Sequence, residues 1–316
     1  MYRRVLDPAT LSKSKSLILL GPRQTGKSTL LKEVLPDALY FNLLDDVLFR
    51  QWVAHPEYLR QQVPASSSKS TQRPQWVVID EIQRIPNLLN EVQLILDSRK
   101  DIRFVLTGSS ARKLKRGHAN LLGGRAHFSQ LHPLVYPEIG TLRLLDRLQR
   151  GGLPAIFDSE DYKEDLKAYV GGYLKEEIQA ESLVRNLGNF ARFLETAALC
   201  NGLQINLTQI GSDLGISPRT IKDYFTLLED TLIGNLLDPF SKTKKRKAVA
   251  IPKFYLFDLG AANALQGRFS ITPQTPFFGG AVEHLVYLEL KAWLQYRRRD
   301  EVLGYWRSQT QFEVDF

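Results

Sequence analysis

The 316-residue chain has little cysteine, no long apolar run and no apolar leader segment. Its one cysteine, Cys200, excludes an internal disulfide framework, and its apolar helical surroundings favour a buried, inert thiol over a catalytic one. No apolar run approaches the ~20 residues that span a bilayer, and residues 1–5 lack the apolar region of a signal peptide. We therefore expect a cytoplasmic protein without a membrane partner.

Acidic residues are absent between Pro239 and Phe257, although the whole chain carries a modest net charge of +8. The cations within this stretch are Lys242, Lys244, Lys245, Arg246, Lys247 and Lys253. A local basic patch of this kind is typical of surfaces that bind nucleic acid or another polyanion. A solvated loop that keeps the protein soluble is the alternative, and the patch alone does not decide between them.

Apolar residues make up 43% of the chain, which is enough to build cores, and the length predicts two or three domains. In the first part, short apolar strands alternate with helices, which is the signature of a parallel α/β sheet. The predicted strands are Ser16–Leu20, Leu39–Leu43, Trp76–Ile79, Ile102–Thr107 and Ala126–Leu131. From about Asp161 to Leu199 the apolar spacing predicts helices instead.

A glycine-rich loop follows the first predicted strand and precedes a helical run. It fits the pattern G-x-x-x-x-G-K-[ST] and extends into the helix, through Gly21, Pro22, Arg23, Gln24, Thr25, Gly26, Lys27, Ser28 and Thr29. In this context the backbone N–H groups and the helix N-terminus point at the β- and γ-phosphates of a nucleotide. Gly21 and Gly26 allow an approach that a Cβ would block. Lys27 supplies a positive charge to the phosphates, and Ser28 supplies a hydroxyl to Mg²⁺.

An acid pair, Asp80 and Glu81, ends the third predicted strand. Asp80 can hold Mg²⁺ next to Ser28, and Glu81 can orient and polarise the attacking water. An adjacent acid pair is typical of hydrolysing ATPases, because the second carboxylate is free to act on water. Combined with the glycine loop, the pair predicts ATP hydrolysis with Mg²⁺, while a structural role for Glu81 is the alternative.

Hydroxyl side chains follow the fourth predicted strand, which is expected to lie beside the first. A hydroxyl at that edge can hydrogen-bond the attacking water or the γ-phosphate, as a sensor. Thr107 and Ser109 are both candidates, and the sequence does not choose between them. The alternative is a helix cap formed by Ser109 or Ser110.

Arg125 follows the glycine pair before the fifth predicted strand. An arginine at this position can project towards the γ-phosphate of a neighbouring subunit and neutralise charge in the transition state. This role as an arginine finger in trans requires self-association. A surface arginine after a glycine turn is the alternative, and Arg112 is the second candidate for the finger.

A helix-turn-helix pattern occupies the middle of the chain. Leu207–Leu214 and Pro218–Leu228 are the predicted helices, with Ser217 as N-cap of the second helix. The basic stretch and the apolar strand Phe254–Phe257 follow, so the layout predicts a winged helix. The second helix is less basic than a major-groove reader, so the Lys242–Lys247 patch in the presumed wing would contact the DNA backbone. A protein partner is the alternative.

These motifs resemble the AAA+ ATPases and, more closely, a group of bacterial and archaeal ATPases with a winged helix and a restriction-endonuclease-like C-terminal region. The resemblance rests on Leu20–Thr29, Tyr40–Leu43, Ile79–Gln83, Leu106–Ser110, Gly124–Arg125 and Pro252–Gly260. It implies that Lys27 and Ser28 contact phosphate and Mg²⁺, that Asp80 is the metal acid, and that Glu81 activates water. It also implies a sensor at Thr107 or Ser109 and a finger at Arg125.

The predicted fold is an α/β P-loop sheet followed by a helical and winged-helix region and an incomplete endonuclease-like α/β tail. The predicted regions are a P-loop ATPase domain at 1–140, a helical lid or linker at 141–200, a winged-helix domain at 201–265 and a truncated endonuclease-like region at 275–316.

The endonuclease-like tail is expected to be inactive. In such folds two acids and an E-x-K strand assemble a Mg²⁺ site that activates water against a phosphodiester. Glu283 matches the first acid and Asp315 the second, but the E-x-K strand would lie beyond Phe316. We therefore do not expect nuclease activity from this polypeptide. For Glu283, a solvated acid on a helix face is the alternative.

The motifs together predict a Mg²⁺-dependent ATPase that couples its nucleotide state to the winged-helix and C-terminal regions. The alternative is a DNA-binding or toxin–antitoxin-like regulator in which ATP is mainly a conformational ligand. A kinase built on the same loop is disfavoured by the acid pair Asp80-Glu81 and by the lack of an evident acceptor site.

Overall fold

The computed structural model describes residues 2–11, 14–63, 75–110, 122–140, 143–173, 186–240, 251–308 and 312–316. The chain divides into two compact units. The N-terminal unit is Arg4–Leu131, and the C-terminal unit is His132–Phe316 together with Met1–Arg3. The basic patch Lys242–Lys247 and Arg112 lie outside the described residues.

The N-terminal unit is a parallel sheet with helices between its strands. Its strands are β1 (Ser16–Leu20), β2 (Leu39–Asn42), β3 (Gln75–Asp80), β4 (Ile102–Gly108) and β5 (Ala126–Gln130). Its helices are α1 (Pro8–Leu11), α2 (Lys27–Val34), α3 (Asp46–Ala54), α4 (Tyr58–Gln62) and α5 (Leu88–Ser98), with 3₁₀ turns at Ile82–Arg84 and Leu122–Gly124. The predicted strands are confirmed to within a residue or two.

The sheet has the order β2-β3-β4-β1-β5, and every neighbouring pair is parallel. Every residue of β1 is buried, as expected for a central strand covered on both faces. Because β4 lies between β1 and β3, the ends of these three strands meet at one edge. The glycine loop and the acid pair follow β1 and β3 at this edge.

The C-terminal unit is mainly helical. Its helices are α6 (Tyr136–Ile139), α7 (Leu144–Arg150), α8 (Pro154–Phe157), α9 (Tyr162–Ala168), α10 (Leu187–Leu199), α11 (Leu207–Leu214), α12 (Pro218–Asp230), α13 (Leu259–Leu265) and α14 (Phe278–Tyr296), with a π turn at Tyr169–Tyr173. Its strands form the antiparallel pairs β6 (Gly234–Leu237) with β7 (Lys253–Leu256) and β8 (Trp306–Arg307) with β9 (Glu313–Val314).

In this unit, buried residues of the helices α9, α10, α11, α12 and α13 share one hydrophobic core. At its centre, aromatic rings contact one another with centroids 4.9 to 5.5 Å apart, and these rings belong to Phe190, Phe193, Tyr224, Phe225 and Phe254. The segments predicted as helical linker and as winged helix therefore share a core. The predicted boundary between them at residue 200 stays a prediction.

The predicted helix-turn-helix elements are present at the expected positions. The Ser217 hydroxyl accepts a hydrogen bond from the Thr220 N–H and caps α12, while Gly215 takes a φ of +67° in the turn. Such a φ is favourable for glycine, which has no Cβ. β6 and β7 then pair in an antiparallel register with Gly234 opposite Leu256. The assignment of this region as a winged helix stays a prediction.

The fold class predicted for the first part is confirmed: an α/β chain with a five-stranded parallel P-loop sheet, followed by a helical region. The endonuclease-like tail stays a prediction. Among the described ranges, no helix is both long and apolar enough to cross a membrane.

Candidate active site

The glycine loop is held at the edge of the sheet by backbone contacts. The Gly21 N–H donates to the Gly108 carbonyl at 3.1 Å, and a Cβ on Gly21 would lie 2.5 Å from the Leu131 carbonyl oxygen. Gly26 has a φ of +90° where α2 begins. Only glycine fits both demands without strain, so the loop has the cradle that a phosphate requires.

Two hydrogen bonds hold Thr25 within the loop. The buried Thr25 hydroxyl donates to the Pro22 carbonyl at 2.9 Å, and the Arg4 guanidinium donates to the Thr25 carbonyl at 2.6 Å. Arg23 and Gln24 are half-buried, and Thr29 is exposed on the first turn of α2. The predicted residues therefore differ in environment: Gly21 to Gly26 form the loop, and Lys27, Ser28 and Thr29 begin α2.

The Lys27 ammonium lies inside the loop. Its Nζ donates to the carbonyls of Gly21 at 2.7 Å and Pro22 at 3.0 Å, and the residue is only 6% exposed. A cation removed from water gains strongly from an anion nearby. The Lys27 side chain is thus held inside the loop where a phosphate would bind.

Three hydroxyl groups donate hydrogen bonds to the Asp80 carboxylate at the end of β3. Ser28 Oγ donates to its Oδ2 at 2.6 Å, Tyr40 donates to the same oxygen, and Thr107 donates to Oδ1. A carboxylate next to a hydroxyl is a donor set that suits Mg²⁺. The residues present therefore fit the metal, which Ser28 and Asp80 would hold.

Tyr40 is a site residue that the sequence interpretation does not identify. Burial, and then the hydrogen bond to Asp80, raise the pKa of Tyr40 well above its usual value, so it acts as a neutral donor. The signal for its role is in the topology: Tyr40 lies on β2, which pairs with β3 so that Asn42 is opposite Asp80. Only the strand order reveals that neighbour.

Glu81 lies in a strained turn. Its φ of +64° and ψ of +42° are left-handed, a conformation that costs a non-glycine residue about 1–3 kcal/mol. Its N–H donates to Thr107 Oγ1 at 3.2 Å, and its carboxylate accepts from the Gln83 amide at 2.5 Å. The same amide donates to Ser109 Oγ at 3.2 Å. Gln83 is the second site residue that the sequence interpretation does not identify.

Both sensor candidates lie at this edge. Thr107 contacts Asp80 and the backbone of Glu81 directly, while Ser109 reaches Glu81 through Gln83. Thr107 and Ser109 are both buried. The choice of sensor between them stays a prediction.

Arg125 makes an ion pair within its own unit. Its Nε lies 2.6 Å from Asp97 Oδ1 near the end of α5, and its side chain is 37% exposed. Its predicted role as a finger for a neighbouring subunit stays a prediction.

The two acids of the tail come together, but around a lysine. Lys253 Nζ lies 3.0 Å from Glu283 Oε1, 3.1 Å from Asp315 Oδ1 and 2.5 Å from Glu313 Oε1. Burial lowers the pKa of Lys253, but hydrogen bonds to these carboxylates outweigh burial and raise it overall. In the described ranges, no group of three or more His, Cys, Asp or Glu side chains is arranged to hold a metal ion.

This cluster corrects two expectations. The sequence interpretation counts Lys253 in the local basic patch that suggests a polyanion partner, but Lys253 is buried and paired with acids of α14 and β9. Glu283 is not a solvated acid on a helix face either, since the Tyr255 hydroxyl also donates to it.

Cys200 is half-buried, and burial raises its pKa. A raised pKa lowers the thiolate population, which agrees with the expected inert thiol.

The strand order, the glycine loop and the acid pair define a P-loop nucleotide fold. The family model described as AAA domain matches residues 13–140, and the model described as Domain of unknown function (DUF8612) matches residues 141–272. Residues 13–140 of the chain are therefore similar to the AAA domain.

No curated protein matches the chain. Among solved structures, it is similar to a signal transduction ATPase with numerous domains (STAND) protein with a tetratricopeptide repeat sensor, from Pyrococcus horikoshii. The identity is 14%, the TM-score is 0.32, and the match covers 91% of this chain and 48% of that one. The chain thus spans about half the length of that protein, and so distant a match carries no argument about function.

Proposed function

We propose that the chain binds ATP with Mg²⁺ at Gly21–Ser28 and hydrolyses it. The observation that carries this proposal is the 2.6 Å contact between Ser28 Oγ and Asp80 Oδ2, beside the buried ammonium of Lys27. Cation, hydroxyl and carboxylate are the groups that phosphoryl transfer from a Mg²⁺-bound nucleotide requires at one place.

Each residue of the site has a defined role in this proposal. The loop N–H groups and Lys27 hold the phosphates, while Ser28 and Asp80 hold Mg²⁺, which supplies positive charge to the phosphate oxygens. Glu81 orients the attacking water and accepts its proton. Thr107 fixes the positions of the two acids relative to each other, since its hydroxyl contacts Asp80 and the Glu81 backbone.

Arg125 enters the proposal only with a second copy of the chain. To act as a finger it would leave Asp97 and approach the γ-phosphate of the neighbour, where a guanidinium stabilises transition-state charge. Its 37% exposed side chain supports this role.

An ATPase assay on three variants tests the proposed function. We expect Lys27→Ala to weaken ATP binding by about 10- to 100-fold, because the phosphates no longer accept hydrogen bonds from a buried cation. Glu81→Gln should bind ATP normally and lower kcat by about 10²- to 10⁴-fold, because the proton acceptor is removed. Lys100→Ala, at an exposed site on the same unit, is the control. Equal turnover in wild type and all three variants would overturn the proposal.

A DNA-binding regulator in which ATP is mainly a conformational ligand is the second candidate. The capped helix pair α11 and α12, followed by the antiparallel strands β6 and β7, supports it, because residues 241–250 between these strands include the Lys242–Lys247 patch. In this candidate function residues 201–265 form a winged helix whose wing contacts DNA phosphates.

A salt titration tests this second candidate. Neutralising the Lys242–Lys247 cations should weaken DNA binding and make the plot of log K against log salt shallower by about 0.9 for each phosphate that is no longer neutralised. ATP should bind with negligible turnover. Arg192→Gln, a cation on α10 of the same unit, is the control. Unchanged DNA affinity after neutralisation would count against the candidate.

A further inference from the structure

Gln83 joins the water-activating acid to the end of β4. It lies on the 3₁₀ turn after β3, and its side-chain Nε2 donates to Glu81 Oε2 at 2.5 Å and to Ser109 Oγ at 3.2 Å. The residue is only 7% exposed. Both protons of the amide nitrogen are therefore committed, and the carboxamide bridges the acid and the hydroxyl.

The neighbouring backbone leaves room for this bridge. A Cβ on Gly108 would lie 2.6 Å from Gln83 Oε1, so a larger residue at position 108 would displace the carboxamide. That oxygen is buried and has no hydrogen-bond partner among the described residues. Leaving a buried carbonyl without a hydrogen bond is unfavourable. The amide nitrogen thus makes its hydrogen bonds to Glu81 and Ser109, while the amide oxygen makes none among the described residues.

The bridge acts on an acid that is already constrained. The left-handed backbone of Glu81 fixes where its side chain starts, and the Thr107 hydroxyl accepts its N–H. Gln83 is the partner that holds the carboxylate itself. Orientation of the Glu81 carboxylate therefore depends on where the Gln83 amide is held, and that amide is anchored at Ser109.

We propose that Gln83 is a positioning residue that couples Glu81 to Ser109, so that a γ-phosphate contact at Ser109 fixes the water-activating carboxylate. This inference rests on the proposed ATPase function. A hydroxyl that donates a hydrogen bond becomes a stronger hydrogen-bond acceptor, because hydrogen bonds in a chain polarise one another. When Ser109 donates a hydrogen bond to a phosphate oxygen, the hydrogen bond that it accepts from Gln83 becomes stronger. The Gln83 amide is then fixed in the orientation that donates to Glu81.

Steady-state kinetics with a matched control test the coupling. Gln83→Met keeps the length of the side chain and removes the donor, so kcat should fall by about tenfold or more with KM unchanged. Ser109→Ala should lower kcat similarly, and the double variant should be no slower than the slower single variant, because both break the same chain of bonds. Gln93→Met, on α5 of the same unit, should match wild type.

A pH profile separates positioning from a structural role, and thermal unfolding tests the contact itself. Gln83→Glu sets a second carboxylate beside Glu81, which raises the pKa of the pair, so the acidic limb of the kcat–pH profile should move to higher pH. Without nucleotide, the Tm shifts of Gln83→Met and Glu81→Gln should be non-additive, because the two residues contact each other.

The outcomes distinguish a failure of the proposed coupling from a failure of the proposed ATPase function. Wild-type kcat in Gln83→Met, or additive kcat losses with Ser109→Ala, would overturn the coupling and leave the ATPase proposal standing. No turnover in wild type would overturn both. If Gln83→Met fails to fold, the pH profile of Gln83→Glu decides: an unmoved acidic limb would overturn the coupling.

Discussion

At the scale of single residues, Asp80 shows how one buried acid can be prepared for a metal. Its two oxygens accept from Ser28, Tyr40 and Thr107, so the carboxylate is oriented from three sides. Ser28 is the partner that would share the metal with it, whereas Tyr40 and Thr107 remain available to hold the carboxylate in place. Outer partners of this kind set the orientation and hence the affinity of a metal ligand.

Replacing Tyr40 by Phe tests this division of roles. The change removes one donor to Asp80 without altering the ring, so we expect the Mg²⁺ concentration at half-maximal ATPase activity to rise by about tenfold or more. A Mg²⁺ titration at saturating ATP measures it. Tyr58→Phe, on α4 of the same unit, is the control and should leave the midpoint in place. An unchanged midpoint in Tyr40→Phe would show that Ser28 and Thr107 suffice.

At the scale of elements, α14 is docked on β7 by polar contacts as well as apolar ones. His284 on α14 is fully buried, and its Nε2 lies 2.7 Å from the Leu256 carbonyl on β7 while Nδ1 lies 3.0 Å from the Asn201 amide. Nε2 therefore donates and Nδ1 accepts, which requires a neutral ring. Burial lowers the pKa of His284 to about 4.

This histidine predicts a loss of stability in acid. Its pKa lies below the usual value of 6.5, so below pH 6.5 the unfolded chain binds a proton that the folded chain does not. Stability from this group is complete above pH 6.5 and is lost as the pH falls from about 6.5 towards 4. At pH 5 we expect a loss of about 2 kcal/mol from this residue.

Urea unfolding at pH 7 and pH 5 measures the effect. His284→Gln should be less stable at pH 7 but should lack this part of the pH dependence. His55→Gln, at an exposed site, should keep it. The same loss of stability between pH 7 and pH 5 in wild type and His284→Gln would contradict the assignment.

The elements are predictable from sequence to different degrees. The bounds of β1 are predicted correctly, because an apolar run between polar residues fixes a buried strand, and Ser217 and Pro218 mark the start of α12. Gln83 and Tyr40 receive no role from the sequence, because each has a partner that is distant in sequence: Ser109 for Gln83 and Asp80 for Tyr40. Lys253 is misplaced because a basic neighbourhood in sequence does not reveal acids that approach from α14 and β9.

At the scale of the whole molecule, the chain consists of two compact units with different tasks in the proposal. The Gly21–Ser28 loop and the acids of β3 belong to Arg4–Leu131, and the helix pair α11–α12 belongs to the other unit. Domains with separate cores often unfold in separate transitions. A ligand stabilises the part that binds it, by an amount set by its concentration and affinity.

Calorimetry with and without nucleotide therefore provides a test of where ATP binds. We expect two unfolding transitions, of which a non-hydrolysable ATP analogue with Mg²⁺ raises only one. At 100 times the Kd the stabilisation is about 2.7 kcal/mol, or roughly 10 °C for a unit of this size. Limited proteolysis between the two transition temperatures, with the fragments identified by mass spectrometry, shows which transition belongs to Arg4–Leu131.

Lys27→Ala supplies the control for the calorimetry. At the same analogue concentration its stabilisation should fall from about 2.7 to about 0.4–1.4 kcal/mol, because the buried ammonium proposed to meet the phosphates is gone. A shift confined to the transition of residues 132–316 would place the nucleotide elsewhere. A single transition that the analogue raises would show that the two units unfold together and would contradict the expectation of two transitions.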